Sequence, residues 1–326
     1  MTIELADRLN AAIEQNARRA IWTDRYGIAR SLLAVGTLVT LAANSTATLF
    51  ERSPGVIAAR GCFGGPSRIS LFCFAGQQGL GVARFVAIAI LLTVAVGWRP
   101  RWTGALHWWV TFSCFSSISI VDGGDQVTAV LALLLVPICL TDNRVWHWAA
   151  SQVDPRRKSA AWWARVFFGA IRVQLAFVYL QSSIAKLGVH EWASGTAIYY
   201  YVLELPAFHA VGLARSIVGA MVASPVGVVT LTWGTVAIEA VLGISPLVPR
   251  YWRSIASLGL ALHLAIAVVL GLVSFSLAMS AAVVLLVVPL EVEILPVVFR
   301  SRRNVGSATL SSSDKNPGMT TGEATF

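Results

Sequence analysis

Eight runs of apolar residues, at about 26–49, 79–98, 103–121, 126–141, 166–186, 226–248, 254–272 and 275–297, are separated by short segments that hold most of the charge. A bilayer core of roughly 30 Å takes about 20 helical residues to cross. Lipid offers the backbone no hydrogen bonds, so only helices and closed barrels can span it. Runs of this length select helices. The composition supports the same reading. The chain is 56% hydrophobic and 13% charged, where a soluble domain carries about 25% charged residues. The expected fold is therefore all-α: a polytopic membrane helix bundle of about eight transmembrane helices, multi-pass in the cell membrane and in contact with its lipid.

Two stretches read less simply. The seventh and eighth runs are separated only by Val273 and Ser274, as a tight hairpin or as one broken element. Residues 196–221 are only moderately apolar and read as an outer loop with a re-entrant or interfacial helix.

Orientation follows from the basic residues, which favour the cytoplasmic side. With the N-terminus inside, 17 of the 25 Lys and Arg fall in inner segments and 5 in outer ones, leaving Arg30, Arg84 and Arg172 within spans. Both termini are then cytoplasmic. The net charge of +9 reads as this topology signal. It does not indicate nucleic-acid binding, because no basic run is interleaved with stacking aromatics.

Residues 1–22 form an expected amphipathic N-terminal helix, with Leu5, Leu9, Ile13 and Ala17 along one face. Residues 23–298 form the transmembrane domain. Residues 299–326, rich in Ser, Thr and Gly, read as a disordered cytoplasmic tail. Cys62 and Cys73 share the first outer loop, where an oxidising compartment permits a disulfide; two unpaired thiols are the other reading. Cys114 and Cys139 lie within spans as small apolar residues.

Ionisable groups inside spans are costly and are usually paired or functional. Arg172, Tyr179, Ser182, Ser183 and Lys186 fall near one face of the fifth run. Such a stripe belongs against the bundle or a water-filled cavity. Lys186 is either a snorkelling anchor or a reactive base. Glu239 lies past the middle of the sixth run, as a structural ion pair, a protonated carboxyl or a working group, with Arg172 as a candidate partner. His263 sits near the middle of the seventh, as a core histidine or a proton carrier. Arg30 and Arg84 read as snorkelling residues. Asp122-Gly123-Gly124-Asp125 reads as a tight turn or a polar rim. No metal-ligand spacing, phosphate loop or nucleophile elbow is present.

The stretch Tyr179-Leu180-Gln181-Ser182-Ser183-Ile184-Ala185-Lys186-Leu187, followed by Trp192, Gly195 and Tyr199-Tyr200, resembles the HTTM membrane domain, which vitamin K-dependent gamma-carboxylase shares with many bacterial proteins. Asp122 to Asp125, Glu239, His263 and Phe275-Ser276 resemble further landmarks of that domain. Arg30 to Leu33, Asn44-Ser45-Thr46 and Ile69 to Phe72 are similar to the sporulation-delaying protein B family. The resemblance implies that Lys186 is a base acting at an outward-opening pocket. It also implies Glu239, His263 and Arg172 as supporting catalytic groups, and Tyr179 and Ser183 beside a reduced quinone of the vitamin K type. The implied partners are a small secreted peptide precursor and a small partner protein. A proton-coupled transporter or export/immunity protein, and a non-catalytic scaffold, are the competing functions.

Overall fold

The computed structural model describes residues 21–50, 62, 65–119, 121–149, 158–203, 212–290, 292 and 294. The expected N-terminal amphipathic helix, save Ile21 and Trp22, and the expected tail lie outside the described residues. The long helices are α1 (Asp24–Ala43), α2 (Leu71–Val96), α3 (Pro100–Ser117), α4 (Gly123–Leu140), α5 (Lys158–Leu187), α6 (Pro225–Ile244), α7 (Trp252–Leu270) and α8 (Val273–Val287). Shorter helices cover Thr46–Leu49, His190–Ala193, Ala197–Leu203 and Gly212–Val222. No named strand occurs among the described residues. This is an all-α polytopic membrane bundle.

Among the described residues, six segments are long and apolar enough to cross a membrane: α1, α2, α4, α5, and Pro225–Leu247 and Pro249–Leu270, which contain α6 and α7. α8 is apolar but shorter. α3 is a helix of 18 residues whose Arg101, Thr103, His107, Thr111 and serines lower its apolar character. The eight expected runs thus each contain a long helix, but composition alone qualifies six as spans.

Helix ends depart from the apolar runs for identifiable reasons. The first run breaks at Asn44, where the backbone turns extended, and Ser45 caps a new short helix through the Thr48 amide. α5 begins eight residues before its apolar run, because Trp162, Trp163 and Arg165 are compatible with helix though not with deep lipid. α8 stops at Val287; Val288 is extended and precedes Pro289, which disfavours helix in the residue before it. The helix therefore ends at Val287, inside the expected run to residue 297, of which residues 291, 293 and 295–297 lie outside the described residues. Residues 196–221, expected mainly as loop, hold the helices at 197–203 and 212–222.

α8 is the central element. Almost every residue from Ser276 to Val287 is buried, enclosed chiefly by α1, α4, α5 and α7. Its C-terminal end carries unpaired carbonyls and partial negative charge. Arg25 and Arg172 both donate to the Val288 carbonyl there, Arg172 at 2.8 Å. Arg84 has a similar task at the end of α1. It donates to the carbonyls of Leu41 (2.6 Å) and Ala42 (3.2 Å), so its role is helix capping in place of the expected snorkelling.

The loop after α4 is pinned beneath the bundle. Arg144 forms an ion pair with Asp142 at 2.8 Å, and the His147 ring inserts between α1 and the end of α2. Gly97, at φ 91°, makes room for it: a Cβ there would lie 2.3 Å from the ring. Cys62 and Cys73 are joined by a disulfide, with Cα atoms 4.5 Å apart. Just beyond, Gly76 takes φ 64° inside α2, a conformation that glycine adopts without steric cost.

Candidate functional site

The polar face of α5 meets α6, α7 and α8. α5 and α6 run antiparallel: the Ser183 hydroxyl donates to the Val236 carbonyl at 3.1 Å, and Gly243 lies against Leu180. This register brings Lys186 to Glu239. The lysine side chain folds back along its own helix, as helical side chains do. Its Nζ donates to Ser182 Oγ at 2.7 Å and to Glu239 Oε1 and Oε2 at 2.8 and 2.6 Å. Trp192, on the short helix that follows, places its ring 5.3 Å from the same ammonium. Cation–π contact and two carboxylate bonds thus hold one charge. The two side chains keep only 20% and 11% of their exposure.

Two turns below, Tyr179 is buried against α7 and α8. Its hydroxyl lies 3.0 Å from His263 Nε2 and 3.4 Å from the Met279 carbonyl. His263 also packs edge-on against Phe275, with centroids 6.2 Å apart. Tyr179, Ser183 and Lys186 thus share one polar face of α5, with His263 bonded to Tyr179 and Glu239 paired with Lys186; this face with its two partners is the polar cluster. Arg172 does not join it. It sits at the far end of α8, and Glu239 pairs with Lys186 instead of Arg172. The sequence misses this because Lys186 ends its apolar run, whereas α6 reaches well past that end, against the 190–203 segment. Asp122 and Asp125 form a reciprocal cap at the start of α4, each side chain accepting from the other's amide. That is the tight-turn reading.

A second polar group lies near the opposite end. Arg30 is fully buried; it donates to Thr103 Oγ1 at 3.0 Å and lies 3.3 Å from His147 Nδ1. The snorkelling reading of Arg30 is wrong, because the α3 and loop residues that cover it are invisible to a hydropathy scan. Burial, and then the neighbouring Arg30 charge, push the His147 imidazole down to about 2. His147 is thus neutral and offers Nδ1 as an acceptor. Gly27, beneath the same ring, and Gly97 were the available sequence signals.

Among the described residues no cluster of His, Cys, Asp or Glu could hold a metal ion. The hydroxyls expected beside a quinone already bond within the protein: Ser183 donates to Val236, and the single Tyr179 proton is shared between His263 and Met279 as alternative acceptors.

Known proteins similar to this chain come from Bacillus subtilis (strain 168). Sporulation-delaying protein SdpB is 31% identical over 273 residues, which is 83% of this chain and 83% of SdpB. The chain belongs to the sporulation-delaying protein B family. The uncharacterized protein YitO is 37% identical over 292 residues, 88% of this chain and 92% of YitO. No family model matches the chain, and no solved structure matches it. The likeness to the HTTM domain and to the carboxylase rests on the motifs quoted above.

Proposed function

We propose that this member of the sporulation-delaying protein B family acts in the maturation or modification of a small secreted, toxin-like peptide. The work is done at an outward-facing polar site centred on Lys186. The proposal includes eight membrane crossings with both termini cytoplasmic, in keeping with the excess of basic residues in the segments then inside. It also includes a small partner protein that presents the precursor.

The observation that carries this reading is the Lys186–Glu239 pair. A snorkelling lysine extends its charge towards water, whereas Lys186 folds back to a carboxylate on a neighbouring helix. As it stands the pair is an ammonium and a carboxylate. Removing such a pair from water costs several kcal/mol per ion. A substrate that covers the site therefore favours transfer of one proton from Nζ to the carboxylate across the 2.6 Å contact. The products are a neutral amine and a carboxylic acid. The amine is then a base beside the substrate, and Glu239 holds the proton it needs. His263 and Tyr179 form a neutral hydrogen-bonded floor to the cluster. Arg172 acts at a distance, by fixing the end of α8. No step here passes through a quinone.

The test compares secreted products from cells carrying wild type or Lys186→Ala, at matched membrane levels, by intact-mass spectrometry. A base contributes about 10²–10⁴-fold, so the mature peptide should fall at least about 100-fold, or appear with its unmodified mass. Identical profiles in a strain that demonstrably makes the peptide overturn the reading.

A further inference from the structure

Two buried polar atoms on α7 and α8 have no hydrogen-bond partner among the described residues: His263 Nδ1 and Ser276 Oγ. His263 is 1% exposed and Ser276 is 4% exposed. Buried polar groups are nearly always satisfied, and each exception asks for a reason. Two exceptions on facing helices, at the level of one turn of α8, ask for a shared one.

Their placement follows from the contacts between the helices. α5 and α8 run antiparallel, since Arg172 meets Val288 and Tyr179 meets Met279. Ser276 lies one turn from Met279, on the Lys186 side, and so is level with Ser183. Lys186 Nζ, folded back to Ser182, lies at that same level. The His263 ring touches Phe275 and bonds Tyr179, which also reaches Met279. It therefore lies against the face of α8 between residues 275 and 279, the turn that carries Ser276.

The hydrogen positions decide the chemistry. Tyr179 has one hydroxyl proton. Placed on the shorter, 3.0 Å contact, it makes Nε2 the acceptor and leaves Nδ1 carrying the ring hydrogen. The two residues then present an imidazole N–H and a serine O–H, both without acceptors among the described residues, at the level of the Lys186 ammonium. We infer that His263 and Ser276 form a subsite that binds a carbonyl or carboxylate oxygen of the group on which the Lys186–Glu239 pair acts. The subsite rests on the function proposed above and adds its recognition chemistry. Ser276 becomes a substrate-binding residue, and Tyr179 becomes a positioning residue that fixes the imidazole tautomer.

The test has two arms, both on the full chain in native membranes. In the first, Ser276→Cys is treated with methyl methanethiosulfonate and read by intact mass. The background is quiet, because Cys114 and Cys139 are buried and Cys62 is bonded to Cys73. A subsite that admits a substrate admits this small reagent, so one methylthio group should be added without denaturant. In the second arm, Ser276→Ala and Ser276→Thr are compared for secreted product at matched membrane levels. Loss of one buried hydrogen bond to substrate should lower product about ten-fold in the alanine variant. The threonine variant, which keeps the hydroxyl, should retain most of it. Labelling only after denaturation, or unchanged product from Ser276→Ala, overturns the subsite. If Lys186→Ala still abolishes product in that case, the Lys186 reading survives. If instead Lys186→Ala leaves product unchanged, the parent function falls, and with it the role of Ser276 in binding a substrate of that pair.

Discussion

Lys186 and Arg30 are both cations on membrane helices, and each lies near a histidine, yet the bundle treats them in opposite ways. Lys186 has a carboxylate partner, a neighbouring aromatic ring and residual exposure. Arg30 has neutral partners, is fully buried, and is closed in by a ring seated on two glycines. An ammonium next to a carboxylate has somewhere to send its proton. A guanidinium next to a threonine and a neutral histidine has nowhere to send one, and an arginine does not give its proton up in proteins. The first arrangement suits chemistry and the second suits a clamp. Ionisable residues in a span are thus sorted by their partners more than by their depth.

The largest effect expected to sharpen this contrast is on the outer pair. Glu239→Gln should abolish product as Lys186→Ala does. By leaving the ammonium unpaired, it should also lower stability by about 3 kcal/mol in detergent unfolding. The exchange Lys186→Glu with Glu239→Lys should recover most of that stability but none of the product. Recovery of both would make the pair merely structural and erase the difference from Arg30.

At the clamp the expected order is reversed, with stability affected and chemistry spared. Gly97→Ala forces a side chain into a left-handed backbone and against His147. It should cost about 2–4 kcal/mol, read as a lower unfolding midpoint, with product per folded molecule unchanged. A fall in product beyond the loss of folded protein would break the comparison.

His147 adds a pH signature. Its folded-state value is about 2, below the ordinary histidine value of about 6.5. Below about pH 6.5 the unfolded chain binds a proton that the folded chain refuses. Stability from this group is complete above that pH and declines as pH falls towards 2, by up to about 1.4 kcal/mol per pH unit. The difference in pH slope between wild type and His147→Gln, measured by denaturant unfolding, should show it. Equal slopes would mean that His147 is not held neutral. The smallest effect belongs to Arg84→Ala, which removes donors from the end of α1 and should cost about 1 kcal/mol with no change in product.

Apolar run length made the helices legible in the sequence, because lipid imposes one rule on every lipid-exposed backbone group. Helix ends were less legible. Asn44, Trp162 and Pro289 set them through capping, tolerance and backbone geometry, none of which a hydropathy window registers. The face shared by Tyr179, Ser183 and Lys186 could be read from helical periodicity. Which neighbour completes it could not. Partner choice depends on how α6 slides along α5, and the misplaced Arg172–Glu239 pairing reflects that gap. Ser276 was marked only through the resemblance of Phe275-Ser276 to a family landmark, since one serine in an apolar helix carries no binding signal of its own until its surroundings are known. The burial of Arg30 likewise depended on α3, whose polar face does not look like a span.

The shortness of α8 has an electrical consequence. Its 15 residues rise about 22 Å, against a hydrocarbon core of roughly 30 Å. Other helices wall it in, so a shortfall at its ends would be closed by protein and water in place of lipid. Where an insulating layer is thinner, the same voltage falls over a shorter distance. On the proposed orientation, with the shortfall at the end level with Lys186, Lys186 would sit near the outer potential and most of the drop would lie between it and Val288. A proton exchanged with the outer solution crosses little of the field. One drawn from the cytoplasm crosses most of it, at about 2.3 kcal/mol for each 100 mV. The energised membrane would then bias which side supplies the protons of the Lys186–Glu239 pair.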